Sequence, residues 1–334
     1  MNCALKTLLA LALVSLPAMA AASCESLASL SFPDATITSA QNVAAGAFTL
    51  PGNPNGRAGR GPGANNTYKE LPAFCRVSAT LKPSSDSDIK IEVWLPAADW
   101  NQKYQAVGNG GWAGVISYSA LAEALRDGYA TSSTDTGHVG GSGSFALGHP
   151  EKLADFAWRS QHEMTLKSKA IVAAFYGNGA RLSYWNGCST GGRQGLKEAQ
   201  RFPADYDGII AGAPANRTAL AMWIAFAELK DPASYIPAAK YPVVHQAVLD
   251  QCDAVDGLKD GLIQDPTRCK FDPKTIECKG ADAPNCLTAA QVEAVRKSYE
   301  EAVNPRTGQK LFPALAPGSE LGWAVLGAGP EPSR

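Results

Sequence analysis

The sequence predicts an α/β fold, and three observations carry that prediction. Ile89-Lys-Ile-Glu-Val-Trp-Leu95 alternates in polarity like a half-buried strand and is closed by Pro96. Further short apolar runs, at residues 104–107, 128–134, 182–185 and 208–213, interleave with helix-periodic stretches at residues 121–126, 154–176 and 193–201. Between the run at 182–185 and the helix at 193–201 lies Gly187-Cys-Ser-Thr-Gly191. This G-x-S-x-G pattern is the strand-turn-helix elbow that exposes a serine nucleophile above the sheet of an α/β-hydrolase.

Taken in order, each stretch has its reason. Residues 1–22 read as a secretory signal peptide: Lys6 supplies the charge, residues 7–16 the apolar region and Ala18-Met-Ala20 the small-residue cleavage pattern. No later stretch is long enough to cross a bilayer. Residues 24–76 are rich in Gly, Pro and Asn, above all over 51–66, and predict loop with little helix or strand. Asn65 and Asn216 head glycosylation sequons, to which no function attaches. The strand at 104–107 runs into Gly108-Asn-Gly-Gly-Trp-Ala-Gly114, a glycine cluster where α/β-hydrolases place one half of the oxyanion hole. The strand at 128–134 ends in Asp135-Thr-Gly-His138. Phe156, Met164, Ile171 and Phe175 fall at helical spacing and predict one long covering helix over 154–176. After Ala215 the character changes to an apolar helix at 219–229, Pro-rich loops and a cysteine-bracketed segment.

Composition bounds the function. The 334 residues are 45% hydrophobic and 18% charged, which suits a globular chain with a sizeable core. A net charge of -1 gives no reason to expect nucleic acid or an anionic membrane as partner. Of eight cysteines, removal of the signal takes Cys3 and leaves seven, at 24, 75, 188, 252, 269, 278 and 286. An oxidising destination, periplasmic or extracellular, predicts pairing, and the odd count leaves one over; the sequence alone fixes no connectivity.

The elbow carries the chemistry. Ser189 would sit at a helix N-terminus, where free N–H groups and the helix dipole favour a developing negative charge. The backbone N–H of Thr190 and that of Gly110 or Gly111 would together grip the oxyanion of a tetrahedral intermediate. Asp135, His138, His149 and His162 all precede Ser189, whereas the acid and histidine of an α/β-hydrolase triad follow the serine. Structural roles are expected for them. His245 falls within a helix of the second domain, and no catalytic role is expected for it.

Gly187-Cys-Ser-Thr-Gly-Gly-Arg-Gln-Gly195, followed by Gln200-Arg-Phe-Pro-Ala-Asp-Tyr-Asp-Gly-Ile-Ile-Ala-Gly-Ala-Pro-Ala215, resembles the tannase and feruloyl esterase family, which also contains the bacterial mono(2-hydroxyethyl) terephthalate hydrolase. A cysteine directly before the nucleophile, then G-G-R-x-G, is specific to that family. The resemblance runs from about Cys24 to the last residues. It implies the N-terminal part of an α/β-hydrolase catalytic domain over 23–215 and the first part of an inserted lid over 216–334, with the C-terminal part of both expected to be missing from this chain. It also implies disulfides Cys24–Cys75, Cys252–Cys269 and Cys278–Cys286, with Cys188 bonded to a cysteine beside the catalytic histidine, for which this chain has no counterpart.

The cysteine-bracketed segment holds Cys252-Asp253-Ala-Val-Asp256-Gly257-Leu-Lys-Asp260-Gly261-Leu262 and then Asp265. Carboxylates and carbonyls at a Gly-rich turn suit a hard, oxygen-seeking cation, although the spacing is not that of an EF-hand. The resemblance implies structural Ca2+ in the lid, on Asp253, Asp256 and Asp260 with the carbonyls of Leu258 and Leu262.

The expected activity is therefore a secreted serine carboxylic ester hydrolase. It would act on small aromatic-acid esters, feruloyl or other hydroxycinnamoyl, or galloyl, through an acyl-enzyme on Ser189. The family supplies its triad acid and histidine after the lid, and this chain has neither, so it is expected to be an N-terminal fragment. The rival expectation is a catalytically inactive truncated homologue, at most a calcium-bound protein that binds aromatic esters.

Overall fold

The computed structural model describes residues 22–51, 68–215 and 232–323. The signal-peptide segment at 1–21, nearly all of the Gly/Pro-rich run at 51–66, both sequons and the helix expected at 219–229 lie outside the described residues. The chain divides into two compact units, Met1–Asn216 and Arg217–Arg334.

The first unit is built on a seven-stranded mixed sheet. Its strands are β1 (Ala35–Val43), β2 (Phe74–Leu81), β3 (Ile89–Pro96), β4 (Lys103–Val107), β5 (Ala130–Thr134), β6 (Leu182–Cys188) and β7 (Gly208–Gly212), in the order β1-β2-β3-β5-β4-β6-β7. The first four pair antiparallel along that order, and β5, β4, β6 and β7 run parallel. Helix α1 (Tyr118–Arg126) crosses from β4 to β5, α2 (Pro150–Ala154) and α3 (Ser160–Tyr176) from β5 to β6, and α4 (Thr190–Arg201) from β6 to β7. Parallel neighbours need such crossovers, since a tight turn can join only antiparallel strands. This is an α/β-hydrolase-like arrangement.

The strand period of two divides the core. Ile89, Ile91, Val93 and Leu95 of β3 pack with Val77, Tyr104, Trp185 and, from α3, Met164, Ile171 and Val172. Trp94, pointing the other way, packs with Phe48, Phe74 and Val107 and with Leu121 and Leu125 of α1. Both tryptophans are fully buried, and each aromatic of that size contributes about 3 kcal/mol through burial.

Two expectations need correction. Residues 24–76 hold more strand than expected: β1 fills 35–43 and β2 begins at Phe74. β1 is an edge strand with one buried residue, Ile37, so its sequence lacks an apolar face to advertise it. Its pairing with β2 is tertiary information. The disulfide Cys24–Cys75 then ties β2 to the N-terminal turn, across 51 residues. The helix expected over 154–176 is also not one regular α-helix, because a π turn at Asp155–Arg159 separates α2 from α3. Arg193 donates to the carbonyls of Ala157 and Phe156 in that turn, at 3.0 and 3.3 Å, which holds the first turn of α4 against it.

The second unit is mostly helical turns around a small core of Ile236, Tyr241, Val244, Val248, Leu287, Val292, Val295 and Trp323. Its longer helices are Tyr241–Cys252 and Ala289–Ser298, the latter started by a capping box of Thr288 and Gln291. Disulfides Cys252–Cys269 and Cys278–Cys286 supplement this core. Small cores of this kind commonly depend on such staples. Among the described residues, no helix is long and apolar enough to cross a membrane.

Candidate active site

Ser189 occupies the junction of β6 and α4 with φ 58° and ψ -115°, a backbone conformation that side-chain-bearing residues rarely adopt. Holding a residue there costs on the order of 1–3 kcal/mol. Three backbone hydrogen bonds fix it: its N–H donates to Gly212 O at 3.0 Å, and its carbonyl accepts from Arg193 N at 3.0 Å and Ala215 N at 2.9 Å. The result is an exposed serine on a rigid turn at the N-terminus of a twelve-residue helix.

The turn is possible because α4 lies against bare backbone. A Cβ on Gly187 would stand 2.6 Å from the carbonyl carbon and oxygen of Gly191, and one on Gly192 would stand 2.3 Å from Gly212 O. Trp185 anchors the same turn from below, with Nε1 donating to Gly191 O at 2.9 Å.

The glycine loop after β4 is stitched to this elbow. Gly191 N donates to Asn109 O at 2.8 Å, and the Thr190 hydroxyl donates to Gly111 O at 2.8 Å. Asn109 N donates to Gln194 Oε1 at 3.0 Å, and Gln194 Nε2 donates back to Asn109 Oδ1 at 3.0 Å. Asn109 and Gln194 are both buried, and Asn109 Nδ2 also reaches the carbonyls of Val115 and Thr134. Gly110 and Gly111 are exposed beside them, and the backbone amides of Gly110 and Thr190 donate to no other described residue.

His138 holds the end of this loop directly, and Asp135 fixes the turn that carries His138. Asp135 Oδ1 accepts from Lys90 N and Gly137 N, and burial pushes its carboxyl up to about 6. His138 Nε2 donates to Trp112 O at 2.6 Å, and its ring stacks on Phe145 at 3.7 Å. Trp112 in turn stacks on Phe156 at 4.9 Å while 46% of its surface stays exposed. The sequence reading missed this aromatic wall and the Asn109–Gln194 pair. The only signal was that Trp112 directly follows the two glycines; the rest depends on the π turn that brings Phe156 across.

The remaining histidines are engaged elsewhere. His149 pairs with Asp86, His162 with Asp205 and His245 with Glu320. None of the four histidines hydrogen-bonds to Ser189. Cys188 is an exposed free thiol beside the nucleophile.

In the second unit, Asp253 accepts from the amides of Asp260 and Gly261, Asp256 from Leu258 N and Asp260 from Leu262 N. Asp253, Asp256 and Asp260 thus lie in one short segment, 253–260, but their carboxylate oxygens do not gather as a group within 4.8 Å of one another. Among the described residues, one group has three metal-capable side chains with ligand atoms within 4.8 Å of one another: His162, Glu198 and Asp205 of the first unit.

The profile of the family described as tannase and feruloyl esterase matches residues 75–329. The chain belongs to the tannase and feruloyl esterase family. It is similar to an uncharacterised esterase of Xanthomonas campestris, 43% identical over 319 residues, covering 94% of this chain and 53% of that protein. It is also similar to a probable feruloyl esterase B-2 of Aspergillus flavus, 41% identical over 254 residues, covering 74% of this chain and 48% of the relative. The crystal structure of feruloyl esterase B from Aspergillus oryzae superposes with a TM-score of 0.70 at 35% identity, covering 90% of this chain and 60% of that one. Tannin acyl hydrolase from Aspergillus niger, at 24% identity and a TM-score of 0.57, shares the fold. The chain spans about half the length of the curated relatives it matches.

Proposed function

We propose that this member of the tannase and feruloyl esterase family serves as a secreted serine carboxylic ester hydrolase for esters of aromatic acids. The observation that carries the reading is Ser189, exposed and locked at φ 58° between a parallel strand and a helix N-terminus. Such strain, held by surrounding hydrogen bonds, is characteristic of catalytic turns. Ser189 Oγ would attack the ester carbonyl and expel the alcohol, leaving an acyl-enzyme that water then hydrolyses. The amides of Thr190 and of Gly110 or Gly111 would stabilise each oxyanion, with the Thr190–Gly111 and Asn109–Gln194 bonds holding the two halves in register. The half-exposed Trp112 face next to that loop favours a flat aromatic acyl group, feruloyl or galloyl. The disulfides support an oxidising destination.

The reaction also needs a general base, and no histidine of this chain is bonded to Ser189. That observation favours a second reading, a catalytically inactive homologue that binds aromatic esters. Hydrolysis of methyl ferulate and methyl gallate by the protein purified from its own gene separates the two. Turnover that disappears in Ser189→Ala supports the esterase; turnover that survives Ser189→Ala refutes the assignment of the nucleophile; and ester binding without turnover supports the inactive reading.

For the second unit, the reading includes structural Ca2+ on Asp253, Asp256 and Asp260 with the carbonyls of Leu258 and Leu262. An all-oxygen donor set fits that ion, and its role would be to rigidify the lid loop rather than to take part in the chemistry.

A further inference from the structure

A second cluster of titratable side chains lies away from Ser189, where α3, the end of α4 and the segment leading to β7 meet. His162 comes from the first turn of α3, Glu198 from the last turn of α4 and Asp205 from the segment before β7. Glu198 stands nine residues beyond Ser189, or about 13 Å at the rise of an α-helix. Glu198 is fully buried, and neither of its carboxylate oxygens has a hydrogen-bond partner. Asp205 is 7% exposed. Its Oδ2 lies 2.6 Å from His162 Nδ1. One ligand atom from each of the three falls within 4.8 Å of the other two.

We propose that His162, Glu198 and Asp205 form a divalent-cation site, with one imidazole nitrogen and carboxylate oxygens as ligands, that clamps α3 to the end of α4. A buried carboxylate with two orphaned oxygens requires a proton, a water or an ion, because an unpartnered buried charge is costly. A proton on Glu198 would be shared with the adjoining Asp205 carboxylate, and the pair would still carry one buried negative charge. A divalent cation neutralises two carboxylates together and satisfies their oxygens. Nearby cations do not perform that task. Lys169 donates to the backbone carbonyl of Asp205, and the Arg201 guanidinium lies 4.1 Å over the Trp158 ring. The mixed nitrogen and oxygen set favours Zn2+, Mn2+ or Co2+, unlike the all-oxygen loop of the second unit. His162, stacked on Phe202 at 3.7 Å, keeps 20% of its side chain exposed, which gives an ion a way in.

The test is titration of the metal-stripped full chain with Co2+, followed by its d–d absorption and by thermal unfolding. We expect one Co2+ per chain without a thiolate charge-transfer band, which separates this site from Cys188, and a rise in Tm on binding. In Glu198→Gln, nearly isosteric and uncharged, affinity should fall at least about tenfold and the rise in Tm should vanish. His162→Ala provides the same readout should the first variant fail to fold. Absence of a His/carboxylate Co2+ spectrum in the parent protein, or equal binding by both variants, would overturn the site. Neither outcome depends on the esterase reading.

Discussion

Gly187→Ala should destabilise the first unit by about 3–4 kcal/mol, because the nucleophile turn has no room for one methyl group. The added Cβ would stand 2.6 Å from the carbonyl carbon and oxygen of Gly191 and 2.8 Å from its Cα, roughly 0.8 Å short of ordinary contact. These are backbone atoms, so no side chain can swing aside. Relief requires the first turn of α4 to lift from β6. That movement strains the bond from Trp185 Nε1 to Gly191 O and the bond from Gly191 N to Asn109 O, at 2.9 and 2.8 Å. Overpacking of this kind costs about 1–3 kcal/mol. Leaving one buried polar partner unsatisfied adds about 1–3 kcal/mol. For a unit of this size the loss corresponds to a drop in Tm of about 6–16 °C. Gly110→Ala is the matched control: nothing lies within 4 Å of its Cβ position, and a change within about 0.5 kcal/mol is expected. Urea unfolding followed by tryptophan fluorescence measures both. A Gly187→Ala protein within about 1 kcal/mol of the parent would refute the close approach of β6 and α4 on which the site argument rests.

Other consequences follow from the same structure. Burial raises the Asp135 carboxyl from 3.8 to about 6, against the lowering pull of the Gly137 and Lys90 amides and the Lys90 charge and with a small contribution from Asp88. The folded state therefore holds this proton more tightly than the unfolded chain, so its contribution to stability is complete below about pH 4 and is lost as pH rises through about 6. The full difference is on the order of 3 kcal/mol, and Asp135→Asn should flatten the urea-midpoint profile across that window; an unchanged slope would show that another group titrates there. Replacing Cys24 and Cys75 together by alanine opens a loop of 51 residues and should cost about 4 kcal/mol, seen as a lower urea midpoint; no change would mean the unfolded state was not constrained by this bond. Removal of Ca2+ by chelation should lower the Tm of the parent protein and leave Asp256→Asn unaffected, whereas identical chelator sensitivity would argue against the proposed ligand.

What the sequence by itself determined was local. The elbow at Gly187–Gly191 is legible because a strained serine between a strand and a helix demands glycine on either side, whatever surrounds it. The alternation of β3 likewise follows from the strand period and two buried faces. The family pattern around Ser189 made the fold class readable from one stretch of chain. The tertiary structure decided the features made by residues far apart. β1 is a strand only because β2 lies beside it, and the π turn is held by Arg193 from another helix. Asn109 meets Gln194 across 85 positions, and the hydrogen bonds between them exist only once the sheet has brought the glycine loop to α4. From the sequence His162 is expected only to have a structural role, and nothing there singles out Glu198 or Asp205. Their chemistry comes from burial together, because removing water turns spaced charges into a group that needs a counter-charge.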